Sequence, residues 1–282
     1  MTEAAVRIDA TTEIEERLDH VPTPRGHLYT WTARPAHARS CVIVCSSLFG
    51  DFTANYHRER LLGKALASSG HGALRFHYAG EGNSQGERRD MTLSSLCDDA
   101  RAALDHAVSL GFVSFAFLGT RLGGLVAAAT VASMRFVPLA LWEPVSDPLS
   151  FIAGAQRAKQ ITLAARGGGG GHTDWRQELE QNGFLDVVGY DVYAHLIESL
   201  DGVDLLSILG PEPRRVFIGR FRAKGGASDP LSEELSERGF SVDWGAFGLS
   251  ESWWFHNELA PETGDLITAT NAWLTNALAG VA

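Results

Sequence analysis

Short runs rich in apolar residues, CVIVC (Cys41–Cys45), ALRFHY (Ala73–Tyr78), FAFLG (Phe115–Gly119) and FVPLALW (Phe136–Trp142), alternate along this chain with segments of helical periodicity. A run that is apolar at successive positions has no solvent face, so it marks a strand covered on both sides. The intervening segments predict helices over His57–Ser69, ending at Gly70, over Thr92–Leu110 and over Leu122–Met134. Strands that alternate with helices over short connections close as right-handed crossovers, which give a mostly parallel sheet with helices on both faces. Ahead of this rhythm, Glu13–Ala33 reads as an opening hairpin around the turn signal Pro22–Gly26.

The rhythm breaks between residues 147 and 211. That stretch contains mixed helical segments and the run Gly167–Gly171, with no clear strand core. Five glycines offer no packing face and carry a high ordering cost, so the run reads as a flexible hinge or loop. The α/β pattern then resumes with a strand at Arg214–Gly219, a helix at Pro230–Arg238, a strand at Phe240–Phe247 and a terminal helix at Glu262–Leu278. The predicted organisation is one α/β core in two parts, residues 1–146 and 212–282, with a cap inserted at 147–211.

Composition narrows the class of function. The 282 residues are 45% hydrophobic and 21% charged, as in a folded globular chain. A net charge of −10 argues against nucleic acid, whose phosphates need a basic face, and against an anionic membrane surface. The polar, acidic start MTEAAVRIDA does not read as a signal peptide, and no stretch reaches the ~20 apolar residues needed to span a bilayer. A cytoplasmic location is expected. Cys41, Cys45 and Cys97 are too few and scattered for a disulfide framework and read as small buried hydrophobes. The histidines His20, His27, His71, His77, His172 and His195 show no metal-ligand spacing. Gly80, Gly82 and Gly86 do not match a dinucleotide or P-loop pattern. No cofactor and no metal are expected.

Three features follow one another in an informative order. A strand runs into Gly119-Thr120-Arg121-Leu122-Gly123 and then a helix of small residues. Asp229 follows the next-to-last strand, and His256, in WWFHNE, falls between the last strand and the last helix. This resembles the α/β-hydrolase fold, in which a nucleophile elbow G-x-S-x-G is followed by an acid and then a histidine. The segment Phe76–Glu87 is similar to that fold's F-D-Y-R-G-x-G-x-S-x-G loop. LWEPV (Leu141–Val145), GYDVYAHL (Gly189–Leu196) and Trp253–Trp254 resemble an exosortase-associated, biosynthetic-cluster subgroup that carries R-L-G at the elbow.

The resemblance implies a serine where this chain has Arg121. A guanidinium stays protonated and cannot act as a nucleophile, and Thr120, one position off on a sharp turn, points elsewhere. Arg121 would instead project over the carboxyl ends of the strands beside a helix N-terminus, a setting suited to a carboxylate or phosphate. Equally, it could form an internal salt bridge with Glu143, Glu81 or Asp229. His256 could move a proton, with Trp253 and Trp254 as an apolar wall, or be vestigial. Asp229 could orient His256, or cap the helix that begins at Pro230. The loop Cys45–Gly50, with Ser46, Ser47 and Leu48, would supply an oxyanion-hole N–H, Leu122 and Glu143 would join Arg121 in binding substrate, and Ser46 or Ser47 could be a displaced nucleophile.

These residues leave three readings open. One is an enzyme without a serine nucleophile, acting on an acyl or carboxylate small molecule as a lyase, cyclase or water-mediated hydrolase in a biosynthetic pathway. Another is a catalytically silent binding or scaffold protein. The third is a hydrolase or acyltransferase with a displaced serine. A small-molecule ligand is expected in each enzyme reading, and a homodimer is compatible with all of them.

Overall fold

The structure is a computed structural model, and it describes residues 7–9, 14–165, 174–187, 189–221, 228–248 and 264–279. The first strands are β1 (Arg7–Asp9), β2 (Ile14–Thr23), β3 (Gly26–Pro35), β4 (Ser40–Cys45) and β5 (Gly72–Phe76), with helix α1 (Gly50–Ser68) between the last two. Next come α2 (Leu93–Ser109), β6 (Ser114–Thr120), α3 (Leu122–Val131) and β7 (Leu139–Trp142). After an inserted segment the core resumes with β10 (Arg215–Arg220), α8 (Pro230–Glu237), β11 (Ser241–Ala246) and α9 (Gly264–Ala279). Among the described residues these strands form one nine-stranded sheet in the order β1-β2-β3-β5-β4-β6-β7-β10-β11. Pairing is antiparallel from β1 through β3 to β5 and parallel from β5 to β11. The β2–β3 hairpin is the opening hairpin that Pro22–Gly26 predicts.

Strand β4 shows why the central runs are continuously apolar. Cys41, Ile43 and Cys45 pack into one core with Leu96 and Ala100 of α2 and Leu125 and Val126 of α3. Val42 and Val44 pack into a second core with Leu62 and Leu66 of α1 and Leu266 and Leu274 of α9. Successive side chains leave a strand on opposite faces, so a strand between two helix layers is apolar throughout. Cys41, Cys45 and Cys97 are all buried free thiols.

Three boundaries differ from the sequence expectation. Helix α1 begins at Gly50, seven residues before His57, because its inner face buries Asp51, Asn55, Arg58 and Glu59 and so shows no apolar period there. Strand β7 begins at Leu139; Phe136 has a φ of 60° and is 74% exposed, so it belongs to the preceding turn. The insertion does contain strand structure. Between α4 (Pro148–Ala165), α5 (Trp175–Asn182), α6 (Ala194–Ser199) and α7 (Leu205–Leu209) lies a two-stranded antiparallel hairpin, β8 (Phe184–Val187) with β9 (Tyr190–Tyr193). Four-residue strands are too short for alternation to stand out in sequence. Gly167–Gly171 lies outside the described residues.

Candidate functional site

The carboxyl ends of β4 and β6, neighbours in the sheet, each turn sharply into a helix. Arg121, between β6 and α3, has φ 55° and ψ −120°. Phe49, just before α1, has φ 59° and ψ −137°. Neither residue is glycine, and holding a side chain in this sparsely populated region costs of order 1–3 kcal/mol. Surrounding glycines make the Arg121 turn possible. A Cβ on Gly123 would lie 2.2 Å from the carbonyl oxygen of Cys45, and one on Gly119 would lie 2.5 Å from Cα of Gly124. The Arg121 N–H donates to the carbonyl of Trp142 at 2.9 Å, and the Arg121 carbonyl accepts from Gly124 N–H at 2.9 Å. The turn is therefore fixed by backbone contacts, independently of the side chain it presents.

The Arg121 side chain is buried. Its Nε donates to Oδ2 of Asp51 at 3.3 Å, and its Nη1 donates to the backbone carbonyl of Glu143 at 3.2 Å. Its Cζ lies 5.0 Å from the ring centroid of Phe151 on α4, a cation–π contact that joins the insertion to the core. Burial pushes the Asp51 carboxyl up to about 7, with the Arg121 charge opposing that rise. Burial also lowers the Arg121 guanidinium from its ordinary value, while Asp51 and Glu143 hold it up. Among the described residues its carboxylate partner is Asp51, which no sequence motif singles out.

The internal partners expected for Arg121 are engaged elsewhere through their carboxylates. Glu143 has a φ of 41°, accepts from the N–H of Phe221 at 2.6 Å and pairs with Nη1 of Arg220 at 3.5 Å. Only its backbone carbonyl meets Arg121 directly. Glu81 pairs with Arg88 at 3.1 Å. Asp229 accepts from Nε of Arg220 at 2.7 Å and from the N–H of Ser232 at 3.1 Å, so it caps α8 as the sequence allowed. Together these side chains form a row of alternating charge, Asp51, Arg121, Glu143, Arg220 and Asp229, along the carboxyl edge of the sheet.

The loop Ser46-Ser47-Leu48 follows β4, and its side chains are buried. Ser46 is fully buried, and its Oγ donates to Oε2 of Glu59 at 2.7 Å, which gives a displaced nucleophile at Ser46 no support. Ser47, Leu48 and Leu122 are also buried, so what they can offer a ligand is backbone. Thr120 is fully buried. His256, Trp253 and Trp254 lie outside the described residues. Two aromatic residues of the insertion, not foreseen from sequence, reach this edge: Phe151 on Arg121, and Tyr190, whose ring lies 6.4 Å from that of Phe49 and whose hydroxyl is 3.4 Å from Oγ1 of Thr53. Among the described residues no group of three or more histidine, cysteine or acidic side chains is arranged to hold a metal ion, and no helix is long and apolar enough to cross a membrane.

No protein-family model and no curated protein matches the sequence. Solved structures do. Est1E from Butyrivibrio proteoclasticus is 16% identical, with 93% of this chain and 99% of that chain covered and a TM-score of 0.64. Proline iminopeptidase from Mycobacterium smegmatis is 18% identical over 94% of this chain and all of that one, with a TM-score of 0.59. Alpha/beta hydrolase domain-containing protein 10 from mouse is 14% identical over 94% and 99%, with a TM-score of 0.57. The chain has the α/β-hydrolase fold.

Proposed function

We propose that this protein handles an anionic acyl or carboxylate small molecule at the carboxyl edge of its sheet without a covalent serine intermediate. Arg121 is the anchoring cation, and Asp51 is its adjustable counter-charge. The observation that carries this reading is a buried guanidinium held on a strained strand-to-helix turn, at the place where the resemblance implies a serine nucleophile. In this reading His256 moves the proton, Trp253 and Trp254 wall the acyl group, and the Ser46–Leu48 loop with Leu122 steadies developing negative charge through backbone N–H groups. Asp229 supports His256 from its place beside Arg220. The chemistry is a lyase, cyclase or water-mediated hydrolysis step in a biosynthetic pathway, as the exosortase-associated resemblance suggests.

Asp51 gives the reading a distinctive signature. With its carboxyl pushed up to about 7, it takes up a proton when a second anion arrives at Arg121. Calorimetric titration with short-chain carboxylates, in buffers of different ionisation enthalpy, is expected to show saturable binding with proton uptake near pH 7. Affinity should fall as the pH rises through that value, and R121M should lose it. Binding that is indifferent to R121M would overturn the anchor.

A second reading, a catalytically silent binding or scaffold protein, is favoured by the same Arg121–Asp51 pair, which already neutralises the cation internally. The commitment of Asp229 to Arg220 and to the cap of α8 also favours it. H256A separates the two: it abolishes turnover in the first and leaves ligand affinity intact in the second.

A further inference from the structure

A cavity of about 230 Å³ opens between the β2–β3 hairpin and α1, and none of its lining residues belongs to the Arg121 site. Its walls are the rings of Tyr29, Trp31 and Tyr56, and its charged groups are Arg60, Arg75 and Glu16. At ~30 Å³ per water molecule this is room for about eight waters, enough for one small flat molecule and too little for a nucleotide or peptide.

The charges choose the guest. Rings in such an arrangement commonly attract a cation. Here guanidinium groups already occupy two of them: Arg75 lies 3.5 Å from the Tyr56 centroid and Arg60 5.9 Å from that of Trp31. A further cation would meet two like charges. Glu16 is engaged by Trp31 Nε1 at 3.2 Å, Arg60 at 3.3 Å and Lys64 at 3.4 Å. Arg75 is buried and bonds Glu59 and Ser46 only through Nε, and its Nη2 has no hydrogen-bond partner among the described residues. Burial raises the Tyr29 phenol above its ordinary value, so it stays protonated and able to donate. A planar guanidinium matches a carboxylate, and the rings match an aromatic face.

We propose that this cavity is a binding site for a small aromatic carboxylate, with the acid group toward Arg75 and Arg60 and the ring among Tyr29, Trp31 and Tyr56. The site is independent of the reading given for Arg121. Its test is calorimetric titration of benzoate into the full chain. The expected result is a saturable binding event that persists in R121M, where the Arg121 anchor is absent; in that background it weakens about tenfold when R60Q is added, as for one lost hydrogen bond to a charged group, and disappears when L18W is added. Leu18 lies at the cavity rim and is 39% exposed, so a larger ring there fills the mouth without disturbing the Arg75–Glu59 pair; an unchanged melting temperature checks this. No saturable binding in the wild type would overturn the proposal, as would binding lost in R121M but kept in L18W. Equal affinity for inorganic phosphate would overturn the aromatic part, and preference for tetramethylammonium would overturn the assignment of charge.

Discussion

Helix α1 presents two carboxylates to the sheet, eight residues apart, and each meets a buried arginine under different conditions. Glu59 meets Arg75 at 2.9 Å, both essentially without exposure, with Ser46 bridging them and Tyr56 stacked on the guanidinium. Glu59 and Tyr56 come from α1, Arg75 comes from β5, and Ser46 directly follows β4. Asp51 meets Arg121 at 3.3 Å, and the surrounding groups come from a strained turn, the end of β7 and a helix of the insertion. The first pair joins α1 to the strand beneath it, and its arginine also lines the cavity beside the β2–β3 hairpin. The second sits where four separate parts of the chain converge, at the edge where open α/β sheets receive ligands. A buried ion pair is weak support for stability by itself, because desolvation offsets much of the attraction, so the surroundings decide what such a pair is for.

Breaking the two pairs separates these roles. E59A leaves the Arg75 charge buried without its partner, and a loss of about 3–5 kcal/mol in urea unfolding is expected across neutral pH. R121M should behave differently, because Asp51 can answer the loss by keeping its proton. Its carboxyl is raised above the ordinary value, so the folded state holds a proton that the unfolded state releases. Stability from this group is present below pH ~4 and is lost as the pH rises toward 7. R121M should therefore be close to wild type at pH 6, then fall behind by about 1.4 kcal/mol per pH unit above 7. D51N should remove that slope. A large, pH-independent loss in R121M would place the two pairs in one structural class. The smallest effect is expected from F151L, which keeps apolar bulk against the core and removes the ring over Arg121, about 0.5–1 kcal/mol for a lost cation–π contact, with faster amide exchange at the start of α4 as its sharper readout.

The same contrast explains what was legible in the sequence. The central strands could be read because Cys41–Cys45 and its neighbours are covered on both faces, and a doubly covered strand leaves an unbroken apolar run. The turn at Arg121 could be read because Gly119 and Gly123 occupy positions where a Cβ would strike backbone. Asp229 could be read as a cap because Pro230 follows it directly. Asp51 could not be read: its partner lies 70 residues away, and the helix that carries it buries polar groups, which hides its period. Phe151 and Tyr190 were equally hidden, since nothing local to an aromatic residue in an inserted segment says which part of the core it will touch.

The Arg121 turn has one more consequence. Its shape depends on two glycines, on the carbonyls of Cys45 and Trp142, and on the start of α3, none of which belongs to the side chain at position 121. The turn at Phe49 on the neighbouring strand adopts nearly the same dihedral angles with an unrelated side chain. Position 121 therefore works as a socket in which the fitting can be exchanged while the wiring stays. A single codon change can replace the side chain at such a point, whereas the architecture around it would take many coordinated changes to rebuild.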